Sequence, residues 1–268
     1  MSNTTSDRED AIMNQKPAEG VMLYDETVHG FRVSRTKITT AHAAEALGRA
    51  VGEYVTLHTG RLRRLESPPC AGSCLAAYLR KYLRPHFGKN LLICGLGNQD
   101  LIEDSLGPLT VRKIPAHFME FTEIPARFSS VGLLTPDVHG RTNIKTEITL
   151  SGVAKEMGAD CIILIDSTQT DSLECLAGTI QITTGQMRIK GSGHIFSRES
   201  LGIPIIGIGV PLVMRYAQGT GADSGDLLMR TGIADDLESA AFAIAYGISR
   251  IAYPKVGPSQ LEQIMRAV

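Results

Sequence analysis

Three apolar runs constrain this chain more than any other feature. Residues 90–97 read NLLICGLG, 161–166 read CIILID, and 203–214 read IPIIGIGVPLVM. None alternates polar with apolar positions, so none suits a strand with one wet face. Runs of Ile, Leu and Val bounded by turn residues are what strands need when a sheet is covered on both sides, and parallel strands are buried that way. Each run is too short to cross a bilayer as a helix, which needs about 20 apolar residues. The runs predict an α/β domain in three layers, built on a mostly parallel sheet.

The segments between them fill in that plan. FRVSRTKIT (31–39), YVTLHT (54–59) and TIQIT (179–183) alternate as half-buried strands do. TTAHAAEALGRAV (39–51) predicts a short helix with a Thr cap. SPPCAG (67–72) predicts a break before a helix over CLAAYLRKYLR (74–84), which Pro85 ends. Asp104 or Ser105 is placed to cap a helix through Leu106, Leu109 and Val111, where Pro108 is tolerated in the first turn. The stretch 142–158 predicts another helix, capped by Thr142, with Ile144/Ile148 and Val153/Met157 as i,i+4 pairs and Gly158 as the stop. A closing helix from near Asp235 carries Leu237, Ala241, Ile244, Ile248 and Ile251 on one face and stops before Pro254. Residues 1–20 are polar, mixed in charge and aperiodic, as a mobile tail or a removable pro-segment would be. Residues 21–268 then form a single domain.

Several function classes drop out. A net charge of −1 offers no general nucleic-acid surface. The N-terminus has no apolar h-region, so the chain is expected to be cytoplasmic, with no membrane partner. Five cysteines, an odd number in a long chain, are no disulfide framework. Cys70 and Cys74 form one CxxxC pair with no second pair to complete a zinc site, and Cys94 and Cys161 lie in apolar runs as core thiols. No metal and no cofactor is expected.

The turn after the first run reads GLGNQDLIEDSLGP (95–108). A dinucleotide fingerprint needs a third glycine where Asp100 stands, and a phosphate-binding loop needs a GK[ST] that is absent. Asp104 would also repel a phosphate held at the following helix. The acids themselves are the better lead. Asp104 follows one buried strand and Asp166 ends another, and the C-terminal ends of parallel strands share one edge, where ligands bind. Two neighbouring carboxylates keep one proton between them. The charged member can take a proton from water while the other donates to a carbonyl, which is acid/base amide hydrolysis. The plainer reading makes each aspartate a cap. Gly191, Ser192 and Gly193 in KGSGHIFSR (190–198) make a turn suited to bringing backbone N–H groups toward a substrate carbonyl or an anion, or a plain surface turn, and Gly97 and Asn98 are further candidates for binding substrate. Ser192 lacks the GxSxG setting of a nucleophile. His139 and His194 are loop residues within possible reach of the cleft. Asp137, Asp160 and Asp171 read as turn and cap residues.

The ordered series of motifs resembles the germination proteases of spore-forming bacteria, atypical aspartic peptidases, and more distantly the hydrogenase maturation proteases. The family pattern GLGN, six residues to an Asp, then LGP is met by GLGNQDLIEDSLGP with Asp104 in place. HGRTNIKT (139–146) resembles the family's MGQTGIET, and IDST its IDAL, with Asp166 in register. TIQI, a GSG turn, LGIPIIGIGVP (201–211) and GISRIAYP (247–254) follow in the family's order. The resemblance implies a phosphorylase/hydrolase-like α/β fold and two catalytic aspartates, Asp104 and Asp166. It implies an endopeptidase that degrades small acid-soluble spore proteins in the spore core during germination. It also implies a zymogen that loses an N-terminal segment and assembles as a homotetramer. Departures are visible: TTGQMRIKGSG (183–193) replaces SDTGIHPGSG, and Lys145 stands where the family has Glu. Two alternatives remain at this stage. One is a metal-dependent maturation-type peptidase with Asp104, Asp166 and a histidine as ligands. The other is a non-catalytic relative that binds spore proteins.

Overall fold

The computed structural model describes residues 19–188, 194–216 and 226–267. The chain opens with strands β1 (Val21–Val28) and β2 (Phe31–Ile38), helix α1 (Ala41–Leu47) and β3 (Gly52–His58). Then come α2 (Pro68–Leu83), β4 (Asn90–Gly95), α3 (Leu106–Arg112), α4 (Ala116–Phe121), β5 (Ser130–Leu134), α5 (His139–Thr142) and α6 (Thr146–Met157). The remainder is β6 (Cys161–Thr170), β7 (Thr179–Thr183), β8 (Gln186–Arg188), β9 (Ile195–Ser197), α7 (Arg198–Leu201), β10 (Ile205–Tyr216), β11 (Asp226–Leu228), α8 (Ile233–Ala252) and α9 (Pro258–Ala267).

The main sheet runs β1-β2-β3-β7-β10-β6-β4-β5, with β11 paired to the far end of β10. The three apolar runs lie side by side at its centre, as β10, β6 and β4. These pair in parallel, and β5 adds to β4 in parallel. The α/β class is as expected, but the sheet is more evenly mixed: β1, β2, β3, β7 and β10 pair antiparallel in turn. The reason is connection length. His29 and Gly30, both at positive φ, turn β1 straight into β2, whereas parallel neighbours need a crossover.

Alternation along the central strands splits the core into two layers. Ile93, Ile163, Ile165 and Ile208 point toward α2, α3 and α8 and pack with Leu75, Leu79, Leu106, Ile244 and Ile248. Leu92, Cys94, Ile162 and Leu164 point to the other side, against Leu150 and Ala154 of α6 and against Met187 and Phe196 of the β8–β9 hairpin. A smaller cluster of Val21, Ile38, Ala43 and Tyr54 closes the antiparallel end under α1.

Helix boundaries differ from the sequence reading in instructive ways. Thr40 caps α1 through the Ala43 amide, as expected, and left-handed Gly48 ends it early. SPPCAG is the start of α2 rather than a break: Ser67 caps the Cys70 amide and the prolines occupy the first turn, where no N–H is required. Thr142 does not cap the long helix. It belongs to the one-turn α5, and α6 begins only at Thr146, ending at left-handed Gly158 as expected. Of the residues read as i,i+4 pairs, Ile144, Ile148 and Val153 are exposed, while Leu150 and Ala154 of α6 are buried. Strands β1 and β5 and helix α9 escaped the sequence reading, and α8 begins at Ile233 with Asp235 and Asp236 in its first turn. Among the described residues no helix is long and apolar enough to cross a membrane.

Candidate active site

Asp104 and Asp166 reach the same part of the sheet by different routes. Strand β4 ends at Gly95, which sits opposite Ile165 of β6, and the next amide, Leu96, donates to the Ile165 carbonyl at 2.8 Å. Asp166 is the following residue on β6. It is not a strand-ending cap, because β6 continues to Thr170 and Asp166 pairs with Gly209 of β10. Its side chain is 2 % exposed and, by alternation, shares a face with Ile162 and Leu164. Cys94 lies on that face one strand away. Burial, with the Asp166 charge added, pushes its thiol far above the usual range.

Asp104 arrives on the loop that β4 releases. Gly97 takes a φ of 111°, a conformation L side chains rarely adopt, and this bends the chain so that a Cβ there would lie 1.9 Å from the Asp104 carbonyl oxygen. The one-turn 3-10 helix Ile102–Asp104 then packs against β6. The Asp104 carboxylate is half-buried and its Oδ2 accepts the Asn98 amide at 2.9 Å. The cap of α3 is Ser105, whose side chain donates instead to the Ile102 carbonyl. The helix-cap readings of the two aspartates therefore lose their ground: one is within a strand, and the other turns back into its own loop. Gly95 makes the next step possible. A Cβ on it would meet the Gly107 carbonyl at 2.2 Å, so α3 crosses the end of β4 glycine on glycine.

A small open cleft lies beside the loop, lined by Gly97, Gln99, Pro108, Thr135 and Asp137. Gly97 is thus on the cleft wall. Asn98 is more occupied than a simple substrate contact would be: its backbone holds Asp104, while its Oδ1 accepts from the Asp100 amide at 3.0 Å and from Arg141 at 3.4 Å. Gly191, Ser192 and Gly193 lie outside the described residues.

Other side chains weighed from sequence have plainer places. Asp160 accepts the Asn90 amide at 3.0 Å and Asp137 the Val138 amide at 2.8 Å, as turn residues do. His139 is exposed at the start of α5. His194 pairs through Nδ1 with Glu147 at 3.1 Å and packs edge-on against Phe196. Among the described residues no three His, Cys, Asp or Glu side chains are grouped as metal ligands would be. Sequence reasoning missed Arg141, which pairs with Asp100 and, at 3.0 Å, with Asp137. The signal available was only a basic residue four positions after Asp137.

A sequence profile described as Germination protease matches residues 2–235. The germination protease of Caldanaerobacter subterraneus subsp. tengcongensis is 33% identical over 215 residues, 76% of this chain and 66% of that protein. The germination protease of Priestia megaterium is 32% identical over 231 residues, covering 81% and 62%. That of Geobacillus sp. is 31% identical over 227 residues, covering 80% and 60%. The chain thus spans slightly under two thirds of the length of the curated relatives it matches. A [NiFe] hydrogenase maturation protease, HycI from Thermococcus kodakarensis, superposes with a TM-score of 0.40 at 15% identity, over 65% of this chain and 97% of that one. With a profile matching most of its length and relatives near one-third identity, this chain belongs to the germination protease family.

Proposed function

We propose that this protein is an endopeptidase that degrades small acid-soluble spore proteins during germination, with Asp104 and Asp166 as the acid/base pair. The observation that carries the reading is the placement of two carboxylates, one on strand β6 and one on the loop that follows β4. Asp166 is buried on β6 at the level where β4 leaves the sheet, and the turn bearing Asp104 packs against that same strand. The two differ in setting, one buried within a strand and one half-buried on a loop, which is how paired acids acquire different roles. The ionised member draws a proton from a water as its oxygen attacks the peptide carbon. The protonated member hydrogen-bonds the carbonyl oxygen and then supplies a proton to the leaving amine. The cleft walled by Gly97 and Thr135 lies beside the Asp104 loop. The site of action would be the spore core, with the chain in a homo-oligomer.

The test is incubation with purified small acid-soluble spore protein and mass analysis of the fragments. Asp104→Asn and Asp166→Asn should each lower cleavage by 10²-fold or more, on the order expected for loss of a general acid or base. Cleavage at the wild-type rate in either variant removes that aspartate from the chemistry. A wild-type protein that cuts no spore protein overturns the substrate assignment.

A further inference from the structure

Two loops bound the cleft, the one after β4 and the one after β5, and one side chain ties them together. Arg141, on the one-turn α5, reaches Asp137 of its own loop through Nε at 3.0 Å. Its Nη1 reaches the other loop, pairing with Asp100 and lying 3.4 Å from Asn98 Oδ1. Asn98 is the residue whose amide holds the Asp104 carboxylate at 2.9 Å. We infer that Arg141 is a positioning residue: by fastening Asp100 and Asn98 to Asp137 across the cleft rim, it keeps the Asn98 amide on the Asp104 carboxylate. The catalytic part of this inference rests on the proposed role of Asp104.

The physical case has three parts. First, the two ends of the loop are held differently. Its 3-10 turn packs on β6, whereas the Asp100 side chain at its tip is 63 % exposed and reaches the facing loop through Arg141. Second, Arg141 stands between two carboxylates of facing loops, Asp100 and Asp137, and its positive charge attracts both. Third, the contact uses a guanidinium's shape. Different nitrogens of one plane address opposite loops, which a single ammonium does not reproduce. Arg141 is itself 38 % exposed, so the pair stabilises the fold only slightly. Its effect is on geometry, and a displacement of about 1 Å at a catalytic group costs on the order of 10²-fold in rate.

Two measurements decide it. Amide hydrogen exchange at Asn98, followed by NMR in the full chain, should quicken about tenfold in Arg141→Ala while the thermal midpoint stays near that of wild type, a factor equal to about 1.4 kcal/mol of local protection. Unchanged exchange at Asn98 overturns the clamp whatever the enzyme's substrate is. Cleavage of purified small acid-soluble spore protein by Arg141→Ala should then show kcat lowered by roughly 10- to 100-fold with KM little altered. Added guanidinium should restore part of the loss, and Arg141→Lys should fall between. If Asp104→Asn abolishes cleavage while Arg141→Ala keeps the wild-type kcat, the positioning role fails and the aspartate reading stands. If Asp104→Asn cleaves normally, the aspartate reading fails and the exchange result alone judges the clamp.

Discussion

The amide of Leu96 donates to the carbonyl of Ile165 at 2.8 Å. This is the last rung between β4 and β6, and in each chain the next residue enters the site: Gly97 on one side, Asp166 on the other. The rung sets the height at which the Asp104 loop leaves the sheet relative to the buried carboxylate.

Gly97→Ala tests that geometry. The new methyl would meet the Asp104 carbonyl oxygen, a backbone atom that cannot swing aside, and the residue would hold a φ of 111° against its preference. Displacing the loop and straining the backbone should each cost about 1–3 kcal/mol. The thermal midpoint should drop and spore-protein cleavage should fall by more than the stability loss explains. Gly88→Ala is the control: its φ is also positive, at 76°, but nothing lies within 4 Å of the added carbon. A Gly97 variant no worse than the Gly88 variant, in both midpoint and rate, would mean that the loop has another course open to it.

What could be seen in the sequence follows the range of the interactions involved. The apolar runs of β4, β6 and β10 were legible because burial on both faces leaves a local signature, and they placed Asp104 and Asp166 near one edge. The prolines at 68 and 69 misled because the same residues break a helix or begin one, and only Ser67 bonding the Cys70 amide decides between them. The covered face of α6 was not legible, because the i,i+4 spacing of Ile144 and Ile148 does not say which side meets the sheet, and it is Leu150 and Ala154 that are buried. β1, VMLYDETV, carries two acids and sits at the sheet edge, where pairing to β2 rather than apolarity makes the strand. Arg141 and Asp100 are 41 positions apart and meet only because β4 and β5 are neighbours.

Asp236 should prove more costly to remove than any surface acid. It is fully buried in the first turn of α8, accepts the Arg63 amide at 2.7 Å and lies 3.9 Å from Arg61 Nε. Asp236→Ala leaves the Arg63 amide without its acceptor and takes the buried carboxylate away from Arg61, which should cost about 3 kcal/mol. Asp236→Asn retains an acceptor for Arg63 and should cost less. Urea midpoints of the two variants check the order, and equal losses would show that charge rather than the hydrogen bond is what matters there.

Thiol reactivity should sort the cysteines by depth. Cys70 is half-exposed at the start of α2, whereas Cys74, Cys94, Cys161 and Cys175 are buried. Burial, chiefly, also raises the Cys74 and Cys161 thiols to about 12, so little thiolate forms at neutral pH. Iodoacetamide at pH 7.5 should label Cys70 in the native protein and all five only after denaturation. Peptide mapping of the labelled chain reads this directly, and fast native labelling of Cys94 would mean that the face carrying Asp166 opens to solvent.

Glu53 should make stability depend on acid. Its carboxylate accepts from Lys81 at 2.7 and 2.8 Å and from Tyr82 at 2.9 Å, with Arg35 at 3.5 Å. Burial alone would raise its pKa, but the hydrogen bonds from Lys81 and Tyr82 and the two positive charges outweigh it and hold the group below the ordinary 4.5. The folded state therefore binds this proton less readily than the unfolded chain. The group's contribution is complete above the unfolded value and is lost as pH falls through the lower folded one. In Glu53→Gln that titration is gone. The urea midpoint of wild type should exceed that of the variant at pH 7, and the gap should narrow steadily below about pH 4.5. A gap that stays constant to pH 3 would show that Lys81 and Tyr82 hold the amide as well as they hold the carboxylate.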